Sequence, residues 1–296
     1  MGNRMHEALM ALALSGADDL EPYFPRVRDR EDVAVLRCRR SGALLLSRQD
    51  HQQASYHEEK EKVLLGAPGE REHYHENLFR QSIVDDQRRA RRHESLILNR
   101  RWLDVGTGGG GILHLLGRHA RCAHGVEPNR YDREHLIGQG ITCFEAIGGV
   151  PTDPGYEVVT LFHVLEHVPD PLGFLRAIRE RMAPGATLLV EVPHARDLLL
   201  SWFQCEPFKR FTFWSEHLIL HTRETLNGFL RAAGFTNILI EGVQRYPLAN
   251  HLRWLVEGLP DGHRAWSQLR ADDLDAAYAN LLARLDATDT LTAYAS

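Results

Sequence analysis

A short apolar run that ends in an acid and breaks into glycines, Trp102-Leu103-Asp104-Val105-Gly106-Thr107-Gly108-Gly109-Gly110-Gly111, leaves this chain few folds to choose from. Ile112 to Leu116 follow and are apolar enough to form the inner face of a helix. Strand, tight turn and helix N-terminus is the geometry that presents backbone N–H groups to a nucleotide-like ligand. Glycine is needed where such a backbone turns sharply or meets a ligand with no Cβ between them.

The glycines alone leave that ligand open. Gly106, Gly108 and Gly111 satisfy the dinucleotide pattern G-x-G-x-x-G. Gly106, Gly108 and Gly110 equally satisfy G-x-G-x-G led by Asp104. Glu127 ends the next apolar run, Ala123 to Val126, where a second strand offers a carboxylate to ribose hydroxyls.

Three segments taken together are more specific. Asp104 to Gly110, Glu127-Pro128-Asn129, and Phe162-His163-Val164-Leu165-Glu166-His167-Val168-Pro169-Asp170-Pro171 resemble the class I S-adenosylmethionine-dependent methyltransferases, over residues 98–243 and a final strand. The resemblance implies an α/β fold: a Rossmann-like seven-stranded methyltransferase sheet whose last strand is antiparallel. It implies S-adenosylmethionine as cofactor, with Gly106, Thr107, Gly108 and Gly110 along its methionine portion. Asp104 would orient the ammonium, Glu127 and Pro128 would meet the ribose, and Ala146 would border the adenine. Phe162 and His163 would border the sulfonium. Ser215 to Thr222 and Asp289 to Ala295 also resemble bacterial methyltransferases of polysaccharide and sugar clusters, which implies a small polar acceptor such as a sugar or nucleotide sugar, methylated on O in preference to N or C.

Totals narrow the partners. The formal net charge of −5 argues against a general nucleic-acid binder. The four cysteines form no C-x-x-C pair, which fits a reducing cytoplasm. Met10 to Leu14 is too short for a signal peptide and reads as part of a buried amphipathic helix. No run approaches the roughly 20 apolar residues of a membrane span. A cytoplasmic enzyme with a small-molecule substrate is expected, with a homodimer left open.

Residues 1–60 read as an appendage: a helix over His6–Ser15, then strands Asp32–Cys38 and Gly42–Ser47. Relatives with a zinc ribbon there carry C-x-x-C-G; Cys38 alone cannot hold a tetrahedral zinc, so a metal-free hairpin is expected. Residues 61–98 read as a helical cover, broken at Pro68-Gly69, with the basic run Arg88 to His93 on a solvated face. Tyr56 and His57 would reach the methionine end. Residues 99–296 form the methyltransferase domain. Its strands are expected at 102–105, 123–127, 142–145, 157–162, 186–192, 237–242 and 290–295, and a helix over Thr222–Ala233. Residues 244–288 interrupt the last two strands and read as a lid with a turn at Pro260–His263 and a helix over Leu274–Leu285.

His163, Glu166 and His167 stand on the turn after the fourth strand. Their H-x-x-E-H spacing resembles an E-x-x-E-H metal motif of relatives that methylate quinone precursors or RNA ends, which a distant histidine, here His217 or His221, would complete. His163 stands in place of the first carboxylate, so no metal is expected. His163, His167 and, from the lid, His251 are candidate general bases. Tyr246, Asn250, His251 and His217 are candidate acceptor contacts. Two rival readings use the same residues: an NAD(P)-dependent oxidoreductase, and a silent methyltransferase-like binding subunit.

Overall fold

The computed structural model describes residues 3–50 and 70–296, without the side chains of 70–73 and 75–81. Two sheets organise them. β1 (Leu20–Phe24), β2 (Val35–Cys38) and β3 (Leu44–Leu46) belong to the first. β4 (Arg101–Val105), β5 (Cys122–Val126), β6 (Thr142–Phe144), β7 (Tyr156–Phe162) and β8 (Met182–Pro193) belong to the second. β9 (Ile219–Leu220) returns to the first sheet, and β10 (Leu239–Val243) and β11 (Thr290–Ala295) complete the second.

The seven-stranded sheet runs β10-β11-β8-β7-β4-β5-β6. The five strands from β8 to the β6 edge pair in parallel, while β11 is antiparallel to both β8 and β10. This is the Rossmann-like methyltransferase sheet that the resemblance implies. Leu103, Val159, Leu161, Leu188 and Val190 are fully buried, as expected for parallel strands covered on both faces. The chain runs outward from β4 to β6, then crosses back to β7 on the other side of β4. A crevice therefore opens at the carboxyl ends of β4 and β7, where such sheets bind ligands.

The expected closing strands and the helix after Thr222 are present. The Thr222 side chain accepts from Thr225 N and caps the helix Arg223–Ala232. Helix Arg4–Ala11 is shorter than expected at its C-terminal end and is capped by Asn3. β1 is an addition to the reading: Pro22 disguises it, and its pairing with β2 is irregular at Pro22/Phe24.

The N-terminal segment is continuous with the rest. β9 pairs with β3, and Met5 and Leu9 share one apolar core with Leu45, Phe229 and Leu161. Cys38 is unpaired and buried, its Sγ 3.3 Å from Ser15 Oγ. No helix among the described residues is long and apolar enough to cross a membrane. Tyr56, His57 and the Pro68-Gly69 break lie outside the described residues.

The helix Glu70–Ile97 corrects one expectation. Its basic run is only partly a solvated face: Arg91 and Arg92 are exposed, but Arg89 is 7% and His93 2% exposed. His93 lies between the rings of Phe162 and Tyr294, at 6.1 and 6.0 Å. The insertion is more helical than its mixed composition suggests, with helices Leu248–Val256, Gly262–Ala265 and Asp272–Arg284.

Candidate functional site

The glycine turn begins where β4 ends. The Gly106 and Thr107 amides both donate to the Val126 carbonyl, at 2.8 and 3.1 Å, which folds the turn back onto β5. Gly106, Gly108 and Gly110 all have positive φ, at +72°, +53° and +72°. A Cβ on Gly106 would lie 2.4 Å from Val164 Cγ2, and one on Gly110 2.4 Å from Leu136 Cδ2. Here glycine is required by both conformation and space. A Cβ on Gly111 would lie 2.1 Å from Asp86 Oδ2, so the long helix rests directly on the start of the helix Gly111–Leu116.

Two acids frame the turn. Glu127 accepts from Gly108 N through Oε2 and from Asn129 N through Oε1, both at 2.8 Å. Burial pushes its carboxyl up to about 7, against the lowering effect of those two amides. Asn129 then caps the next helix by accepting from Tyr131 N and Asp132 N. Asp104 accepts from Thr160 Oγ1 at 2.6 Å, and Thr160 accepts from Trp102 Nε1 at 2.8 Å. Burial pushes Asp104 up to about 6. Asp104, Gly106, Thr107, Gly108, Gly110, Glu127 and Pro128 thus form one constellation at the ends of β4 and β5. Ala146 follows β6 and precedes a short 3-10 turn at 147–149. Phe162 is packed under the long helix, with the Arg89 guanidinium 4.6 Å from its ring centre.

His163, at the end of β7, has φ +57°. Its Nδ1 is 3.1 Å from Glu166 Oε1, and its Nε2 is 3.4 Å from Glu191 Oε1. Burial and the Arg245 charge press the imidazole toward neutrality, but the two carboxylates outweigh them and raise its pKa. Glu166 is held down at about 2 and Glu191 well below its ordinary range: in both, burial is overcome by His163, joined at Glu191 by Arg89 and Arg88. His163 thus stands between two carboxylates that favour its protonated form. That environment argues against the expected role as a general base, which needs an unprotonated nitrogen.

Glu191 is the residue that sequence reasoning missed. It is 0% exposed. Arg88 Nη2 donates to both its oxygens at 2.9 Å, and Arg89 donates to Oε1 through Nε at 2.9 Å and Nη2 at 2.7 Å. The signal was available: a lone acid inside Val190-Glu191-Val192, on a strand buried on both faces, must find cations.

His167 Nδ1–H donates to the Glu216 carbonyl at 2.9 Å. One ligand atom each from Glu166, His167 and His217 lies within 4.8 Å of the others. His163 is outside this group. So is His221, which is buried and bonded to Thr225 Oγ1 at 3.2 Å. Burial, reinforced by His167, holds the His217 pKa well below its ordinary value.

The lid candidates separate. Asn250 is 5% exposed and its Oδ1 accepts from Gly262 N at 3.1 Å. His251 is 3% exposed, with Nδ1 2.7 Å from Tyr278 Oη and Nε2 3.3 Å from Gln244 Nε2. Both side chains are spent inside the insertion. This corrects their assignment as acceptor contacts and that of His251 as a base. Tyr246 is exposed, with Arg245 5.2 Å from its ring centre. Arg245 itself was not singled out as a tether, yet it ties the insertion to the long helix. Its Nη1 is 3.1 Å from Asp85 Oδ2 and its Nε 3.3 Å from Asp289 Oδ1.

A ubiquinone biosynthesis O-methyltransferase of Aeromonas salmonicida is 33% identical over 105 residues, 32% of this chain and 43% of that protein. A tRNA U34 carboxymethyltransferase of Dichelobacter nodosus is 36% identical over 97 residues, 30% of this chain and 31% of that protein. The chain thus spans less than half the length of either relative. A crystal structure of a SAM-dependent methyltransferase from Archaeoglobus fulgidus superposes with TM-score 0.49 and 18% identity, covering 81% of this chain and 99% of that one. Residues 72–240 match the family described as a methyltransferase domain. That match spans more than half of the residues and takes in the glycine turn, Glu127, His163 and Glu191, which decides against the nicotinamide reading. The chain belongs to this family and is a class I S-adenosylmethionine-dependent methyltransferase.

Proposed function

We propose that the enzyme methylates an oxygen of a small, polar acceptor, of the class of sugars, nucleotide sugars and related metabolites. The observation that supports a polar acceptor is a cavity of about 470 Å³ between the long helix and the insertion. Its lining, from Val84, Asp85, Gln87, Arg88, Arg91, Arg92 and Arg245, presents four guanidinium groups to whatever it holds. The net charge of −5 favours a small molecule over a nucleic acid.

S-adenosylmethionine supplies a methyl group already activated on a sulfonium. The protein's part is alignment, which contributes up to about 7–11 kcal/mol when geometry is good. Gly106 to Gly110 and Glu127 fix the cofactor end of the cleft, and the tethered insertion excludes water. His167 takes the acceptor's proton on Nε2, the tautomer being set by the Glu216 carbonyl.

The test is transfer of a labelled methyl group to a panel holding sugars, nucleotide sugars, phenols and tRNA. Label in the sugars or nucleotide sugars is expected; label confined to the phenols or tRNA would overturn the proposed acceptor class.

The reaction is proposed to need no metal, because Glu166 is already paired with His163 and His167 Nδ1 with a carbonyl. One observation favours the opposite reading: Glu166 Oε2 is buried with no hydrogen-bond partner, beside His167 and His217. Turnover is expected to survive EDTA. Activity lost to the chelator and restored by magnesium would make Glu166, His167 and His217 ligands.

Cofactor affinity should depend on pH through Glu127. Ribose hydroxyls donate to a carboxylate, so binding selects its ionised form. With that carboxyl pushed up to about 7, affinity for S-adenosylhomocysteine should fall as pH drops below 7. The slope approaches tenfold per pH unit, since about 1.4 kcal/mol accompanies each unit. Glu127→Ala should cost roughly 1.5–3 kcal/mol at pH 8 and abolish the slope. A parent protein whose affinity is flat from pH 8 to 5.5 would show that Glu127 does not hold the ribose.

A further inference from the structure

The arginines that line the cavity between the long helix and the insertion are held in a common way. Arg88 Nη2 is fixed on Glu191, and its Nη1 is buried with no hydrogen-bond partner. Arg92 Nη2 is bonded to Glu241 at 2.6 Å and its Nε to Tyr294 Oη at 3.4 Å, which leaves Nη1 without a partner among the described residues. Arg245 spends Nε on Asp289 and Nη1 on Asp85, which leaves Nη2. Arg91 is exposed and has no ion-pair partner among the described residues. Acids thus grip three guanidinium groups from one side, and four line one cavity.

The counter-charges do not close the cavity. Glu191, Glu241 and Asp289 do not line it; Asp85 is the one carboxylate among the described residues that does. Guanidinium N–H groups match the oxygens of a phosphoryl group in pairs, and orienting them beforehand removes much of the entropy cost of binding. The volume of about 470 Å³ exceeds what a lone anion needs and lies in the range of metabolite pockets. The cavity also adjoins the chemistry. Arg88 Nη2 and His163 Nε2 share Glu191 Oε1, at 2.9 and 3.4 Å, and His163 ends β7 at the crevice.

We propose that this cavity binds a phosphoryl group of the methyl acceptor, so that the acceptor is a phosphorylated metabolite anchored by Arg88, Arg91, Arg92 and Arg245. The proposal rests on the small-acceptor reading above and narrows it. The long helix supplies three of the arginines and the insertion the fourth, so acceptor binding requires the insertion to be docked.

The experiment titrates inorganic phosphate into the protein saturated with S-adenosylhomocysteine, with acetate in parallel. Phosphate is expected to bind in the millimolar range and acetate at least about tenfold more weakly. Arg91→Gln, a change at an exposed side chain, should weaken phosphate about tenfold; Arg26→Gln, at an exposed side chain of the N-terminal segment outside the cavity lining, should not change it. Phosphate should also slow the reaction of Arg91 with phenylglyoxal, read by peptide mass. Absence of phosphate binding, equal affinity in Arg91→Gln, no protection of Arg91, or tighter binding of acetate would each overturn the proposal. Failure of S-adenosylhomocysteine to bind would instead sink the methyltransferase reading itself, so the two failures are distinguishable.

Discussion

Glu191→Ala should lower the melting temperature by roughly 6–20 °C, a larger loss than any surface substitution would cause. Glu191 is 0% exposed and holds Arg88, Arg89 and His163 together. Removing one partner of a buried ion pair typically costs about 3–5 kcal/mol, because the remaining charge is left without compensation. At about 2–4 °C per kcal/mol for chains of this order of size, that gives the stated range. The pH dependence carries a sign. The His163 pKa is raised in the folded protein, so its contribution is fully present below the unfolded value of about 6.5 and is lost as pH rises through the folded value. Glu191→Ala should flatten that dependence. A variant that melts with the parent would show that the cluster at the end of β8 does not hold the long helix to the sheet.

Gly106→Val should reduce affinity for S-adenosylhomocysteine more than about 100-fold, equivalent to roughly 2.7 kcal/mol. Two costs coincide at this position. At φ +72° a β-branched residue is a conformational outlier, and its Cβ would lie 2.4 Å from Val164 Cγ2. Val164 sits beside His163, so relief of the clash would shift the end of β7 as well as the turn. Gly108→Ala is the comparison: its φ of +53° disfavours a side chain, but nothing lies within 4 Å of the added Cβ. Its loss should stay near the 1–2 kcal/mol, or roughly tenfold, of the left-handed conformation alone. Calorimetry on the two folded variants checks the order. Equal losses would mean that packing against Val164 is irrelevant to the turn.

What could be read in advance was local. The alternation of apolar runs and helices placed the sheet, because strands buried on both faces are apolar along their length. Asp104, the glycines and Glu127 were legible because acid, turn and second acid follow a fixed order within two consecutive strands. Long-range pairing was not legible. His163 looked like a free imidazole until Glu191, from the next strand, was brought against it. Arg88 to His93 looked solvated because a run of charges shows no apolar stripe, yet Glu191 lies beneath it. Asn250 and His251 looked like ligand contacts because polar residues on a lid invite that reading. Instead the helix Leu248–Val256 turns both inward, where Gly262 and Tyr278 satisfy them. The pairing of β9 with β3 joins residues far apart in the chain, and a strand of two residues carries almost no signal of its own.

The acid–glycine–acid frame is tested by titrating S-adenosylhomocysteine and NADH separately into the intact protein at pH 8, with heat as the readout. Micromolar binding of S-adenosylhomocysteine, about −8 kcal/mol, and no saturable binding of NADH is the predicted result. Saturable NADH binding with none of S-adenosylhomocysteine would contradict the account.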